Sequence, residues 1–329
     1  MPVTASPPSL WHLLRASSRT FAVGIERLPA ELRESVCVAY LLLRVSDYLE
    51  DDPDMPTARK IELLRLWDGV LAGTSPVDDF VTELDVGPDP VADALVAQHA
   101  DHVFRALRRL PENQNRILTR HVRDSTQGMA RWAQRGPQVH EESDLDDYMH
   151  EVAGRVGYLL TELFADYSPE IRAHRDRMMT LGREFGLGLQ TVNVIRGLRA
   201  DLERGWIYVP TSFVTPLGLA RREAMFEPEH QDAGLAVVDR LAKKARGHLD
   251  AATAYIRHIP RRHHALRLFC IYPLLFADRT IAVSRSDPRV LTGEVKIGRA
   301  DVRRIIRASN VCGWSNGWLI RYRRRMARV

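Results

Sequence analysis

The stretch Tyr40-Leu-Leu-Leu-Arg44-Val-Ser-Asp47-Tyr-Leu-Glu50-Asp51-Asp52 decides how the rest of the chain is read. Its apolar residues return every three or four positions, the period of a helix face. One helix is therefore predicted over residues 32–51. Asp47 and Asp51 lie one turn apart on a shared face, with Glu50 close to it. Like charges at that spacing cost about a few tenths of a kcal/mol. The helix dipole also disfavours acids at a C-terminus. A hard divalent cation reverses the sign, because Mg2+ takes one or two carboxylates together with substrate phosphates. The competing reading is a solvated acidic turn running into Asp52-Pro53.

Helical periodicity continues outward on both sides. Helices are predicted over residues 58–72, 90–107, 114–134, 144–166, 172–203, 231–257, 263–284 and 298–309, with a basic tail over 319–329. Pro210 and Pro216 make 208–218 a loop. No alternating run bounded by Asn-Gly or Asp-Gly signals a strand, and no internal repeat is visible. The expected architecture is all-α, a single helical domain over residues 1–329.

Composition narrows the function classes. The chain has 329 residues, 45% hydrophobic and 27% charged, a balance that excludes wholesale disorder. The longest uncharged apolar stretch, 269–277, is far short of the roughly 20 residues a bilayer span needs. The opening residues have no basic region followed by a long apolar one, so no signal peptide is read and a cytoplasmic location is expected. Cys37, Cys270 and Cys312 are widely spaced and odd in number, against a disulfide scaffold or a zinc site. Cys37 and Trp132, Trp314 and Trp318 are expected to be packing residues. Of the 47 basic residues only Lys60, Lys243, Lys244 and Lys296 are lysine, and the net charge is +5. That balance suits anionic ligands, but no recognition motif points to nucleic acid. Glycine-rich phosphate loops are absent.

A second polar stripe runs along residues 181–203. Gln190, Asn193, Gly197 and Asp201 follow one another at helical spacing, with Arg196 and Arg199 beside them. Amides and a carboxylate on an inward helix face are costly unless satisfied. A glycine inside a helix costs about 1 kcal/mol relative to alanine, so Gly197 is expected to serve a close approach by a ligand or another helix. A solvent face with a tolerated glycine is the alternative.

Four segments together resemble the squalene/phytoene synthase family of isoprenyl diphosphate enzymes, over about residues 13–306. They are Ser18-Arg-Thr-Phe-Ala22 with Leu28-Pro29; Tyr40 to Asp51, the first aspartate-rich motif; Tyr148-Met-His-Glu-Val-Ala-Gly-Arg-Val-Gly157; and Leu189-Gln-Thr-Val-Asn-Val-Ile-Arg196 through Asp201, followed by Gly205-Trp-Ile-Tyr-Val-Pro210. Val295-Lys-Ile-Gly-Arg299 is similar to a late family stretch. The resemblance implies an isoprenoid-synthase-type helical bundle around a cavity. It implies Mg2+ held by Asp47, Asp51 and Asp201. It also implies diphosphate contacts near Ser18, Arg19, Arg44 and Arg196, and an active-site Tyr148. Gln190, Asn193, Gly197, Trp206, Phe21 and Tyr40 are expected to line the substrate, the last two and Tyr148 offering ring faces to an allylic cation.

The chain departs from the family pattern Asn-x-x-Arg-Asp-x-x-Glu-Asp. Gly197 stands for the first aspartate and Ala200 for the glutamate, and only Asp201 survives. Trp206 replaces a downstream arginine and Met149 a cysteine. Losing these groups weakens the hold on a second diphosphate. The expectation is therefore a Mg2+-dependent prenyltransferase that ionises one allylic diphosphate and passes the prenyl group to a non-diphosphate, aromatic acceptor. Head-to-head synthesis of a squalene- or phytoene-type product is the alternative, and a non-catalytic assembly role a further one. His150 is expected to be structural rather than a base, and His263-His264 not to share a metal. The basic stretches 257–264 and 320–328 suit a solvated face or peripheral contact with an anionic membrane surface.

Overall fold

At several of the helix starts a nearby side chain supplies an acceptor for backbone N–H groups that a first turn leaves unpaired, while α3 and most of the other helices start without a side-chain cap. The His12 N–H donates to Ser9 Oγ and the Phe21 N–H to Ser18 Oγ, each at 3.2 Å. The N–H groups of His140 and Glu141 both donate to Asp144 Oδ2 at 2.9 Å. The computed structural model describes residues 8–87, 91–285 and 287–327, and among these there is no β-strand. The fold is all-α, and packing divides it into two units, Met1–Arg135 and Gly136–Val329.

The first unit contains α1 (Leu10–Ser17), α2 (Arg19–Ile25), α3 (Ala30–Asp51), α4 (Thr57–Ala72), α5 (Val77–Glu83), α6 (Ala92–Gln98), α7 (Ala100–Arg109) and α8 (Glu112–Arg135). Helix α3 is its centre, packed against α1, α4, α6, α7 and α8. Leu32, Cys37, Leu41, Val45 and Leu49 are fully buried along it. Buried hydroxyls join α3 to α8: Ser46 Oγ lies 2.7 Å from Thr126 Oγ1, which donates to the Val122 carbonyl at 2.8 Å. The single helix predicted over 90–107 is two, broken at His99, and residues 88–90 lie outside the described ones. Helices α1, α2 and α5 are too short to show a convincing periodicity in the sequence.

The second unit contains α9 (Glu142–Met149), a π-helical turn (His150–Gly154), α10 (Arg155–Tyr167), α11 (Pro169–Arg172), α12 (Arg175–Glu203), α13 (Thr211–Val214), α14 (Gln231–His258), α15 (His264–Arg285), α16 (Arg299–Cys312) and α17 (Asn316–Met326). The helix predicted over 144–166 is interrupted by the π turn, which shifts the face that α10 presents. The one predicted over 172–203 begins at Arg175, behind the short α11. The predicted loop 208–218 holds α13 and a 3₁₀ turn. No helix among the described residues is long and apolar enough to cross a membrane. Cys37 and Cys270 are buried core thiols, and burial pushes both up to about 12.

Four glycines let α12 cross the π turn and α10 almost backbone to backbone. A Cβ on Gly157 would sit 2.0 Å from the Gly182 carbonyl oxygen, and one on Gly186 would sit 2.3 Å from that of Ala153. Gly154 packs against Leu187 in the same crossing. Overpacking of this kind costs about 1–3 kcal/mol. Gly157→Ala is expected to lose at least that much in urea unfolding, whereas Gly247→Ala, with nothing within 4 Å, should leave stability unchanged or raise it.

Candidate active site

In the first unit the acidic end of α3 is organised by one arginine. Arg44 Nη1 donates to Asp47 Oδ2 at 2.9 Å, and its Nε donates to Asp93 Oδ1 at 3.2 Å while Nη2 pairs with Asp93 Oδ2. Asp93, in the first turn of α6, was invisible as a partner in the sequence because it belongs to no motif. Burial raises the Asp47 carboxyl to about 6; Arg44 pulls it down, and Asp51 and Asp93 push it up. Burial also works against the charge of Arg44, but Asp47, Asp93 and Tyr40 outweigh it and raise its pKa. Asp51 is exposed one turn on. Asp52 is drawn off by the next turn, its Oδ1 accepting the N–H groups of Asp54 and Met55 at 2.9 and 3.2 Å.

Ser18, Phe21 and Tyr40 stand together beside this helix. Ser18 caps α2, and both Ser17 and Ser18 hydrogen-bond Tyr40, whose hydroxyl burial nevertheless pushes upward. The Phe21 and Tyr40 rings are 5.8 Å apart, and Phe21 is partly exposed. The Arg19 side chain lies outside the described residues.

In the second unit the predicted polar stripe lies on α12, and its charged members are paired. Arg196 Nη2 meets Glu294 Oε1 at 2.5 Å, and Lys296 Nζ meets Glu294 Oε2 at the same distance. Arg199 pairs with Glu203 at 2.9 Å, and Asn193 Nδ2 donates to Gln190 Oε1 at 3.1 Å. The nearest atoms that a Cβ on Gly197 would meet are those of the Asp201 carboxylate on the same helix, at 3.1 Å, and not those of a crossing helix. That carboxylate is held by Arg204 Nη2 at 2.5 Å.

The end of α12 places the aromatic residues. The Gly205 N–H donates to the Leu202 carbonyl and the Trp206 N–H to that of Asp201, with Gly205 left-handed at φ 75°. This is a Schellman ending, which needs glycine at that position. It stacks Trp206 on Tyr208 with ring centres 5.8 Å apart, and Tyr208 on buried Tyr148 at 4.3 Å. Arg222, not foreseen from sequence, holds the strap, its guanidinium donating to the carbonyls of Ile207 at 2.7 Å and Pro137 at 2.9 Å. Met149 is buried against Thr191, whose hydroxyl donates to its sulfur at 3.2 Å. His150 accepts from Arg183 Nε at 3.2 Å, and burial lowers its pKa, so its place is structural. His263 and His264 have different partners, Ser168 and the Asn310 carbonyl.

Among the described residues no group of three or more His, Cys, Asp or Glu is arranged to hold a metal ion. Asp47 and Asp51 fit the lighter demand of Mg2+, two hard carboxylates completed by substrate phosphates. Burial, and after it the neighbouring Asp51 and Asp93, penalise the charge of Asp47, a penalty that a bound cation would relieve. Asp201, committed to Arg204, fits less well.

A profile of the squalene/phytoene synthase family matches residues 14–301. The chain is 29% identical to the squalene synthase ERG9 of Candida albicans over 302 residues, 90% of this chain and 66% of that one. It is 28% identical to the squalene synthase of Schizosaccharomyces pombe over 322 residues, 92% of this chain and 65% of that one. The chain thus spans about two thirds of the length of these relatives. Among solved structures, a complex of TcSQS with a ligand has a TM-score of 0.81 at 25% identity, covering 96% of this chain and 90% of that one.

The raised Asp47 carboxyl fixes a pH dependence. A carboxyl whose folded pKa lies above its unfolded value costs stability when ionised, and the cost disappears as pH falls through the folded value. Asp47→Asn, measured in EDTA, is therefore expected to melt at or above the wild-type temperature at neutral pH. The gap should close as pH falls through about 6 toward the ordinary carboxylate range of about 4.

Proposed function

The chain belongs to the squalene/phytoene synthase family, and from that premise we propose that it is a prenyltransferase consuming allylic isoprenyl diphosphates by head-to-head, squalene- or phytoene-type condensation. The observation that carries the reading is the α3 end, where Asp47 and Asp51 stand one turn apart beside Arg44. The squalene synthase relatives favour head-to-head condensation over the acceptor transfer expected from the sequence. Residues 1–329 are read as one catalytic chain.

Mg2+ on Asp47 and Asp51 would supply neutralisation of the leaving diphosphate. The remaining work falls to side chains. Arg44 donates charged hydrogen bonds to the diphosphate, and Arg196 does so once Glu294 yields it. The allylic C–O bond breaks with its electron pair leaving on the diphosphate. Phe21 and Tyr40 in the first unit, and Tyr148 in the second, are the aromatic rings that would stabilise the resulting cation. Ser18, Arg19, Gln190, Asn193, Gly197 and Trp206 are the remaining proposed substrate contacts. The double bond of the second prenyl group is the nucleophile, and the cation it becomes loses a proton to close a cyclopropane that keeps the second diphosphate.

One observation favours a second reading. The Trp206–Tyr208–Tyr148 stack stands where the family has an arginine, and Gly197 and Ala200 remove two acids. A less charged, aromatic surface suits an acceptor without a diphosphate. Incubation with Mg2+ and each allylic diphosphate, alone and with pooled aromatic metabolites, separates the readings. A C30 or C40 hydrocarbon or its cyclopropyl diphosphate precursor from donor alone is the expected outcome. A prenylated product formed only with an added acceptor would establish the second reading. No diphosphate release from any donor would leave the non-catalytic role.

Asp47→Ala and Asp51→Ala are each expected to lower diphosphate release at least about a thousandfold with the helical signal intact. Asp201→Ala should cost much less, because its acidic neighbours at 197 and 200 are already missing. Activity retained in EDTA would overturn the metal assignment.

A further inference from the structure

Trp314, expected from the sequence to be a packing residue, is 52% exposed, and Val311 beside it is 72% exposed. They occupy the turn that joins α16 to α17, and the Trp314 indole N–H donates to the Val311 carbonyl at 3.1 Å. The indole's one polar group is thereby satisfied, and its ring faces outward as apolar surface. From residue 302 to the end the sequence carries eight arginines and no Asp or Glu.

The turn is held rigidly from within. Arg267 is fully buried and donates to the carbonyls of Gly313 at 3.0 Å, Ile256 at 2.8 Å and Ile259 at 3.0 Å, and to Asn316 Oδ1 at 2.7 Å. His264 Nε2 lies 3.1 Å from the Asn310 carbonyl. A Cβ on Gly313 would crowd Leu268 and the Ser309 carbonyl. Arg267 thus ties the α14–α15 turn and the α16–α17 turn to one end of the unit. The first turn carries exposed Arg257 and Arg261, and Arg267 joins it to the turn that carries Trp314.

The arginines divide by role. Arg323 points inward, pairing with buried Asp278 at 2.8 Å and with Asp250 at 2.9 Å. Arg307, one turn before Val311, and Arg321, one turn after Gly317, are exposed. The surface is therefore an apolar tip on a fixed turn with exposed Arg307 on α16 and Arg321 on α17, while Asp301, the acid of α16, is paired with Arg304 and Arg279. A tryptophan at headgroup depth with arginines around it is the chemistry of an interfacial anchor. Each basic residue near an anionic surface adds attraction that falls off within a Debye length.

We propose that the Val311–Trp314 turn, with Arg257, Arg261, Arg307 and Arg321, is a docking surface for an anionic lipid bilayer. The inference gains force from the proposed reaction, whose prenyl substrates are lipidic, but the surface carries it alone. The test reads vesicle binding without substrate, so its outcome is independent of the reaction. The full chain is floated with vesicles of phosphatidylcholine and with vesicles of equal parts phosphatidylcholine and phosphatidylglycerol. It should float with the anionic vesicles only, and less as salt rises. The pair Val311→Ser with Trp314→Ser should weaken that binding about tenfold or more, and so should Arg307→Gln with Arg321→Gln. These residues are exposed, and circular dichroism checks the fold of each pair, so either one suffices if the other misfolds. Absence of binding to anionic vesicles, or binding unchanged in a folded variant, would overturn the proposal. So would sedimentation showing a dimer that the Val311/Trp314 pair dissolves, which would make the turn a protein interface.

Discussion

Everything in the second unit depends on how closely α12 approaches α10 and the π turn before it. Gly157 against the Gly182 carbonyl, and Gly186 against that of Ala153, leave no room for a single added carbon. Each glycine inside a helix costs about 1 kcal/mol relative to alanine. That cost is offset by dispersion contacts along a crossing that larger residues would hold apart. The crossing sets the depth at which Met149 meets Thr191 and the distance at which His150 meets Arg183. Tyr148, the residue before Met149, is thereby positioned for its stack on Tyr208. The far end of the same helix closes in the Schellman turn that adds Trp206 to the stack.

Charge in the motif regions is internally matched before any substrate arrives. Arg44 is shared by Asp47 and Asp93, Arg196 is held by Glu294, and Arg204 by Asp201. An anionic substrate therefore exchanges one anion for another and does not meet an empty cation. The two arginines differ in what the exchange demands. The Arg196–Glu294 pair is more than a third exposed on both sides, and such pairs are worth about 0–1 kcal/mol. Arg44 is less exposed and carries two carboxylates, so an anion would displace its partners less readily than it would displace Glu294 from Arg196. Burial raises the Asp47 carboxyl, and Asp51 and Asp93 add to the rise against the pull of Arg44.

The departures from the family pattern have local structural consequences that are mutually consistent. Where the pattern has an acid, Gly197 leaves space into which Asp201 folds back toward Arg204. Where it has an arginine, Trp206 finishes an aromatic stack and does not present a charge. The end of α12 is thus less able to hold cations and better able to hold rings.

The sequence by itself determined the helical class and the long helices that carry the motifs, and it singled out Asp47, Asp51, Arg44, Tyr148 and Asp201 as candidate site residues. These are legible because helical period and motif spacing are local properties, written within a few turns of chain. Tertiary structure decided what lies between distant positions. Asp93 is 46 residues from Asp47 and is joined to it only through Arg44. Arg222 and Arg267 bind carbonyl groups, which every residue has, so no sequence pattern marks their partners. The break at His99 and the π turn at His150 fall inside continuous helical stretches with no proline to mark them, so they escape a reading by period. The reason for Gly197 and the exposure of Trp314 depend on which side of a helix is covered. That is set by packing against elements far away in the chain, and the local sequence does not encode it.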